Sequence, residues 1–255
     1  MTALLQLLPL AGFPLVEPGD DLAEQVSAAL AANDLVLEDG DVLVLAQKIL
    51  SKAEGRYARL AEVTPSARAL ELAEAADKDP RQVELILRES REVIRVRPGV
   101  IIVEHRNGYV MANAGIDRSN IEIDADDPRL LLLPLDPDAS ACRLREALAA
   151  EHSVAPRIIV NDSVGRAWRN GTVGIAIGTA GFEPTHNQVG GRDMFGNVLE
   201  VTEPAVADEL AAAASFVMGQ AAEGCPVVLV RGAALRDADC GSASLLRDRA
   251  MDMFR

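Results

Sequence analysis

Aliphatic and β-branched runs recur along the chain, separated by glycine, proline and aspartate punctuation, and each run predicts an element. Residues 4–10 read as a first strand, turned by Ala11-Gly12-Phe13-Pro14. Pro18-Gly19-Asp20-Asp21 follows, and Asp20 or Asp21 can cap a helix that sets Leu22, Val26 and Leu30 on one face. Gly40-Asp41 leads into VLVLA, a buried strand, with Gln47, Lys48, Ser51 and Lys52 at its carboxyl end. Thr64-Pro65 predicts a helix start with proline at the first helical position, continuing through SARALELAEAAD. Asp79-Pro80 starts a second helix through RQVELILRESREV. Leu85 and Ile86 mark its apolar face, and Arg88, Glu89, Arg91 and Glu92 a solvated polar face.

Residues 93–120 then predict strand, turn, strand, hairpin and strand. Pro98-Gly99 makes the first turn and Asn107-Gly108 the hairpin. LLLLPLDPDAS reads as a strand and a proline-rich turn, after which Ser140 can cap the helix ACRLREALAAEH. The strand starting at Arg157 follows. A long glycine-rich stretch over residues 178–197 contains a tight turn at Phe195-Gly196-Asn197. An alanine-rich helix starts near Pro204, PVVLVRG is another buried strand, and SASLLRDRAMDMF a terminal helix. Strands that feed helices alternate with hairpins, so the expected fold is mixed α+β, not a regular Rossmann sheet.

Composition narrows the class. The 255 residues are 49% hydrophobic, enough for one large domain or two intimate lobes, and only 3% aromatic, so the core is aliphatic. A net charge of −14 argues against nucleic acid as a partner, because nonspecific binding neutralises phosphates with Lys and Arg. A small anionic ligand needs a local basic pocket or a cation against that field. Cys142, Cys225 and Cys240 lie far apart with no CxxC, which indicates neither a zinc ribbon nor a disulfide framework and fits a reduced cytoplasmic setting. The start MTALLQLLPLAGFPLV lacks a basic region and carries two prolines, unlike a signal peptide. No run reaches membrane-spanning length. The P-loop, dinucleotide-binding, HExxH and GxSxG patterns are absent, and His105, His152 and His186 are scattered.

Two places remain where chemistry concentrates. In RIIVNDSVGRAWRNGTVGIAIG, residues 157–178, a β-branched run ends in Asn161, Asp162 and Ser163, followed by Arg166, Trp168 and Arg169. Gly171, Gly174 and Gly178 would let another backbone or a ligand approach closely. In NAGIDRSN, Asp117 likewise follows a strand. Each aspartate also reads as an ordinary turn residue satisfying local backbone donors. If the two share a crevice, their repulsion requires protonation, cationic partners or a metal. Oxygen ligands suit Mg²⁺ or Mn²⁺ bridged to substrate phosphates. Lys52, Arg166 and Arg169 would then hold the remaining phosphate charge.

The segments GDVLVLAQKILSKAEGR, NAGIDRSN, LDPDAS, NDSVGRAWRNGTVGIAIG, GGRDMFGNVLEVTEPAVADELAAAA and VVLVRG, in this order, resemble the coenzyme F420-0:L-glutamate ligases. The resemblance runs along almost the whole chain. It implies a single two-lobed ligase domain with a fold of its own, neither Rossmann nor P-loop, in an intertwined homodimer. Some members carry a nitroreductase-like second domain; this chain stops where the ligase domain stops, and that activity is not implied. The implied reaction uses GTP to activate the terminal carboxylate of the deazaflavin precursor F420-0 as an acyl phosphate, which the amine of L-glutamate attacks. Further rounds add γ-linked glutamates.

Carried over by position, Asp117 and Asp162 would hold a first divalent ion, Mg²⁺ or Mn²⁺, and Ser163 would contribute to a second, with K⁺ as an additional cation. Phe13, Pro14, Leu15, Val16, Gln47, Lys52 and Asn120 would touch GTP, as would residues 218–225, with Met218, Gly219, Gln220 and Cys225. Asp117, Asp162 and Lys52 would carry catalysis. Two positions depart from the family pattern. Gln47 stands where a small hydroxyl residue is expected. Gln220 stands where some members have a glutamate ligating the second metal, and an amide binds a hard cation less well than a carboxylate. Without the resemblance, the same residues also suit a metal-dependent nucleotide phosphohydrolase, or a non-enzymatic protein that binds a deazaflavin or nucleotide.

Overall fold

The computed structural model describes residues 4–121, 128–239 and 241–253. Cys240 and Phe254 lie outside the described residues; Cys142 and Cys225 are free thiols. Among the described residues no helix is long and apolar enough to cross a membrane.

In chain order the elements are β1 (Gln6–Pro9), α1 (Leu22–Ala32), β2 (Val42–Ala46), α2 (Gln47–Ala53), β3 (Tyr57–Arg59), α3 (Ala67–Ala76), α4 (Pro80–Arg88), β4 (Ser90–Arg97), β5 (Val100–His105), β6 (Val110–Ala112), β7 (Arg129–Leu131), α5 (Pro137–His152), β8 (Arg157–Arg166), β9 (Arg169–Ala180), α6 (Val206–Met218) and β10 (Val227–Arg231). They build a mixed α+β fold that is neither Rossmann nor P-loop. The main sheet has the order β1-β10-β2-β8-β9, in which only β2 and β8 are parallel. A three-stranded sheet, β4-β5-β6, and a two-stranded one, β3-β7, stand apart from it.

Strand β2 shows why the main sheet is central. Its residues alternate between two cores: Leu43 and Leu45 face α1 and α5, whereas Val42 and Val44 face α6. A strand covered on both faces reads as an unbroken aliphatic run. A third core joins α3, α4, β4 and β5 to Leu60, Leu130 and Leu132. Asp21 caps α1 and Asp79 caps α4, each accepting from backbone N–H groups of the first turn. The turn after β4 has Gly99 at φ +86°, the conformation that a Pro-Gly turn of type II demands.

The glycines of β9 admit neighbouring backbone. A Cβ on Gly174 would stand 2.6 Å from the Ala211 carbonyl oxygen of α6, and one on Gly178 would stand 2.6 Å from the Pro137 carbonyl. Neither obstacle is a flexible side-chain end. Gly174→Ala is therefore expected to destabilise the fold by about 2 kcal/mol, lowering the melting temperature by roughly 4–8 °C. Calorimetry showing an unchanged transition would refute this packing.

Several expectations are corrected. Pro65 is not the first helical residue; Ser66 caps α3 and accepts from Ala69 N at 3.2 Å. Ser140 does not cap α5. Asp136 does, with Pro137 opening the helix, while Ser140 sits one turn inside and donates to the Glu54 carboxylate. Helix α4 ends at Arg88 and the chain turns directly into β4, so Arg91 and Glu92 are strand residues. Glu89 is only 6% exposed rather than solvated. Residues 242–253 form two 3₁₀ turns, Ser242–Leu245 and Arg249–Met251, instead of a helix. That segment buries almost no apolar face, and a short helix without one is marginal. Ser242 is held instead by Asp138, through its N–H at 2.9 Å and its hydroxyl at 3.1 Å.

Candidate functional site

Where parallel strands β2 and β8 part, the sheet opens into a cavity of about 740 Å³. Strand β2 ends at Ala46, opposite Asn161, and turns at once into α2. Strand β8 continues, paired with β9, past a register shift between Val160 and Asn161. Asp162 and Ser163 are thus interior to a strand, paired with Ile175 and Gly174, rather than in a turn after it. They still reach a crevice because their partner on the other side has ended. Crevices at the carboxyl ends of parallel strands are the usual ligand sites of such sheets.

Asp117 arrives from another direction. After the turn Asn113–Gly115, in which buried Ala114 takes φ +55°, Asp117 forms an isolated bridge to Leu131, with its N–H donating at 2.9 Å and its carbonyl accepting at 3.0 Å. Its carboxylate is held from two sides. Gln47 Nε2 donates to Oδ2 at 2.7 Å, and Lys48 Nζ lies 3.3 Å from Oδ1 and donates to Ser119 Oγ at 3.0 Å. Burial pushes the Asp117 carboxyl above the usual range, against the opposing pull of Lys48 and Gln47. Burial and then the Asp117 charge push Asp162 up to about 7, while the Ser163 N–H and Lys48 oppose the shift. The two carboxylates are therefore electrostatic neighbours, a relation that spacing in the sequence leaves open.

The remaining walls come from loops. Phe13, Pro14, Leu15 and Val16 follow β1; Lys52 projects from α2; Met218, Gly219, Gln220 and Cys225 belong to the end of α6 and its following loop. Asn120 Nδ2 donates to Ala221 O at 3.1 Å and ties the Asp117 loop to that segment. Gln220 Nε2 donates to Ser215 Oγ at 2.8 Å. Burial lowers the Lys52 pKa, Glu17 opposes this, and the Lys48 and Arg129 charges add to the lowering.

The metal, nucleotide and catalytic residues implied by the resemblance all line the cavity, whereas Trp168 and the two arginines, Arg166 and Arg169, do not. These two flank Trp168 at the exposed tip of the β8–β9 hairpin, where Arg166 donates to Asn170 O at 2.8 Å. The tip extends past the end of β2, so proximity in sequence to Asp162 does not carry the arginines into the crevice. Lys48, Tyr57 and Arg129 do line it. Lys48 had a signal, its place between Gln47 and Ser51 after a buried strand. Arg129, whose guanidinium lies 4.6 Å from the centre of the Tyr57 ring, had none, because strands β3 and β7 carry no motif.

The donors fit a hard divalent cation. Among the described residues no group of three or more His, Cys, Asp or Glu side chains gathers, so no all-protein cage is present. Two neighbouring carboxylates and the Ser163 hydroxyl in an open cavity match the way Mg²⁺ or Mn²⁺ is held by few protein oxygens, with substrate phosphates completing the shell.

Comparison with known proteins identifies the family. The family described as F420-0:Gamma-glutamyl ligase matches residues 12–232. The coenzyme F420:L-glutamate ligase of Methanothermobacter thermautotrophicus is 47% identical over 254 residues, covering 98% of this chain and 99% of the relative. Proteins of the same name from Methanopyrus kandleri and Methanocaldococcus jannaschii are 48% and 40% identical, covering 85% and 91% of this chain and 82% and 91% of those relatives. The chain belongs to the F420-0:gamma-glutamyl ligase family.

Proposed function

We propose that this protein joins L-glutamate to coenzyme F420-0 by an amide bond, with GTP as co-substrate, in the biosynthesis of coenzyme F420. The observation that carries the reading is the meeting of Asp117 and Asp162 with Lys48, Lys52 and Arg129 in one cavity. Phosphoryl transfer needs little covalent help from a protein; it needs alignment and positive charge around the transferred oxygens. Asp117, Asp162 and Ser163 would hold the divalent cation, and Gln220 could offer its amide oxygen to a second. Such a cation supplies charge that neutralises phosphoryl oxygens.

In this reading the terminal carboxylate of F420-0 attacks the γ-phosphorus of GTP, forming a C–O–P link as the bond to the GDP oxygen breaks. The glutamate amine then adds to the acyl carbon. A C–N bond forms, the C–O bond to phosphate breaks, and the ammonium proton passes to phosphate or solvent. Lys48 and Lys52 would face the phosphates. A homodimer belongs to the same reading, as the resemblance to the ligase family implies.

The test is to incubate the protein with GTP, Mn²⁺, L-glutamate and F420-0 and follow products by mass spectrometry, with sedimentation of the same preparation expected to give a dimer. A glutamylated product with glutamate-dependent GDP release supports the ligase. GTP cleavage indifferent to glutamate and F420-0 replaces it with a phosphohydrolase. Binding without turnover replaces it with a deazaflavin- or nucleotide-binding protein.

A further inference from the structure

Gln47 is the first residue of α2 and lines the cavity, yet both ends of its amide are already engaged inside the protein. Nε2 donates to Asp117 Oδ2 at 2.7 Å, and Oε1 accepts from Ser51 Oγ at 2.8 Å. Gln47 is 2% exposed and Ser51 fully buried. Ser51 stands one helical turn after Gln47 and is not among the cavity-lining residues. The chemistry of the three groups fixes the direction of the chain. A carboxylate oxygen only accepts, so the amide must turn its NH₂ to Asp117, and the hydroxyl must then donate to the amide oxygen.

This arrangement leaves the two Asp117 oxygens in different situations. Oδ2 is capped by a neutral donor that cannot leave without breaking two hydrogen bonds, one of them fully buried. Oδ1 faces Lys48, a flexible side chain about one-quarter exposed, which can move aside. The backbone of Asp117 is separately fixed by its bridge to Leu131. We infer that Gln47, buttressed by Ser51, is a positioning residue: it sets the rotation of the Asp117 carboxylate so that Oδ1 is presented to a divalent cation, and it does not read the nucleotide. The inference rests on the reading of Asp117 as a cation ligand. It also accounts for the long amide at a position where a short hydroxyl was expected. A serine there would fall short of Asp117, and a glutamate would add a third negative charge beside Asp117 and Asp162.

Outer partners of a ligating group are worth ~10–100-fold in metal affinity. The test is binding of Mn²⁺ alone, by titration calorimetry without nucleotide or substrates, to wild type, Gln47→Leu, Ser51→Ala, the double variant and Asp117→Asn. Gln47→Leu is expected to weaken Mn²⁺ binding ~10–100-fold, and Ser51→Ala by a smaller factor. The double variant is expected to be no weaker than Gln47→Leu, because the two residues act through one contact. In turnover assays, raising Mn²⁺ should restore the rate of Gln47→Leu with an unchanged KM for GTP.

Ser51→Ala is the variant that decides the matter if Gln47→Leu does not fold, since it removes one oxygen atom outside the cavity. Unchanged Mn²⁺ affinity in Ser51→Ala, additive effects in the double variant, or a raised KM for GTP at saturating Mn²⁺ would each overturn the positioning role. Undiminished Mn²⁺ binding to Asp117→Asn would overturn the cation-site reading as well. A lack of ligase product in wild type with the binding pattern intact would discard the proposed reaction and keep the positioning role.

Discussion

Asp162→Asn is expected to cut turnover by about 10³-fold and, in the same protein, to raise thermal stability at alkaline pH when no divalent cation is present. The two effects share one cause. Burial and the Asp117 charge push the Asp162 carboxyl up to about 7, whereas an unfolded aspartate titrates near ~3.9. Between these values the folded protein holds a proton that the unfolded chain has lost. Stability therefore falls as the pH rises through this window and stays low above it. Asparagine has no such proton, so the melting temperature of the variant relative to wild type should rise between pH 5 and pH 8.5. Mn²⁺ should raise the wild-type transition at pH 8.5 and leave the variant's nearly unmoved, because a ligand stabilises only the form that binds it. Scanning calorimetry after chelator treatment measures both. Near-wild-type turnover with full metal content, or a variant less stable than wild type at pH 8.5, would contradict the assignment of Asp162.

Glu89→Gln should be strongly destabilising although it lies away from the cavity. Glu89 Oε2 lies 3.0 Å from Arg56 Nη2, 3.0 Å from Arg106 Nη2 and 3.7 Å from His105 Nε2. His105 is fully buried, and Arg56 also donates from Nε to Leu133 O at 2.8 Å. This one carboxylate therefore links the end of α4 to β5 and to the segment leaving β7. The amide keeps the shape and removes the charge, leaving two guanidinium groups facing each other in a partly buried place. The expected loss is roughly 3 kcal/mol, or a melting temperature lower by about 6–12 °C. Burial pushes the Glu89 carboxyl up, but the nearby His105 ring nitrogen and the Arg56 and Arg106 charges outweigh it and hold the carboxyl below the usual range. Its contribution is thus present above the ordinary glutamate value of ~4.3 and is lost as the pH falls through the folded value. The gap between wild type and variant in urea denaturation should be widest at pH 7 and narrow in acid. An equal gap at both would mean that the side chain matters for packing and not for its charge.

Glu89 also shows where reading a window of residues stops working. A helical pattern runs through residues 81–93 and puts Glu89 among charged neighbours, as on any solvated face. The chain leaves the helix after Arg88 because β4 pairs with β5, and partners from distant segments then enclose Glu89. Capping was legible where the capping residue directly precedes the helix, as at Asp21 and Asp79. It was misplaced where two acceptors compete, as with Asp136 and Ser140, because both can meet a first-turn N–H and the choice depends on Ser140 finding Glu54.

The sequence alone determined what depends on neighbours within a few residues: the aliphatic strands, the glycine turns, the mixed α+β class and the two segments that carry Asp117 and Asp162. Side-chain period and backbone preference act over that range, so no partner needs to be known. Tertiary structure alone decided that β2 lies parallel to β8, that β2 ends at Ala46 opposite Asn161, and that the Asp117 loop folds back to the same gap. Those pairings join segments far apart in the chain and are selected by the burial of both faces of the main sheet. They placed Lys48, Tyr57 and Arg129 in the cavity and left Arg166 and Arg169 on a hairpin tip outside it.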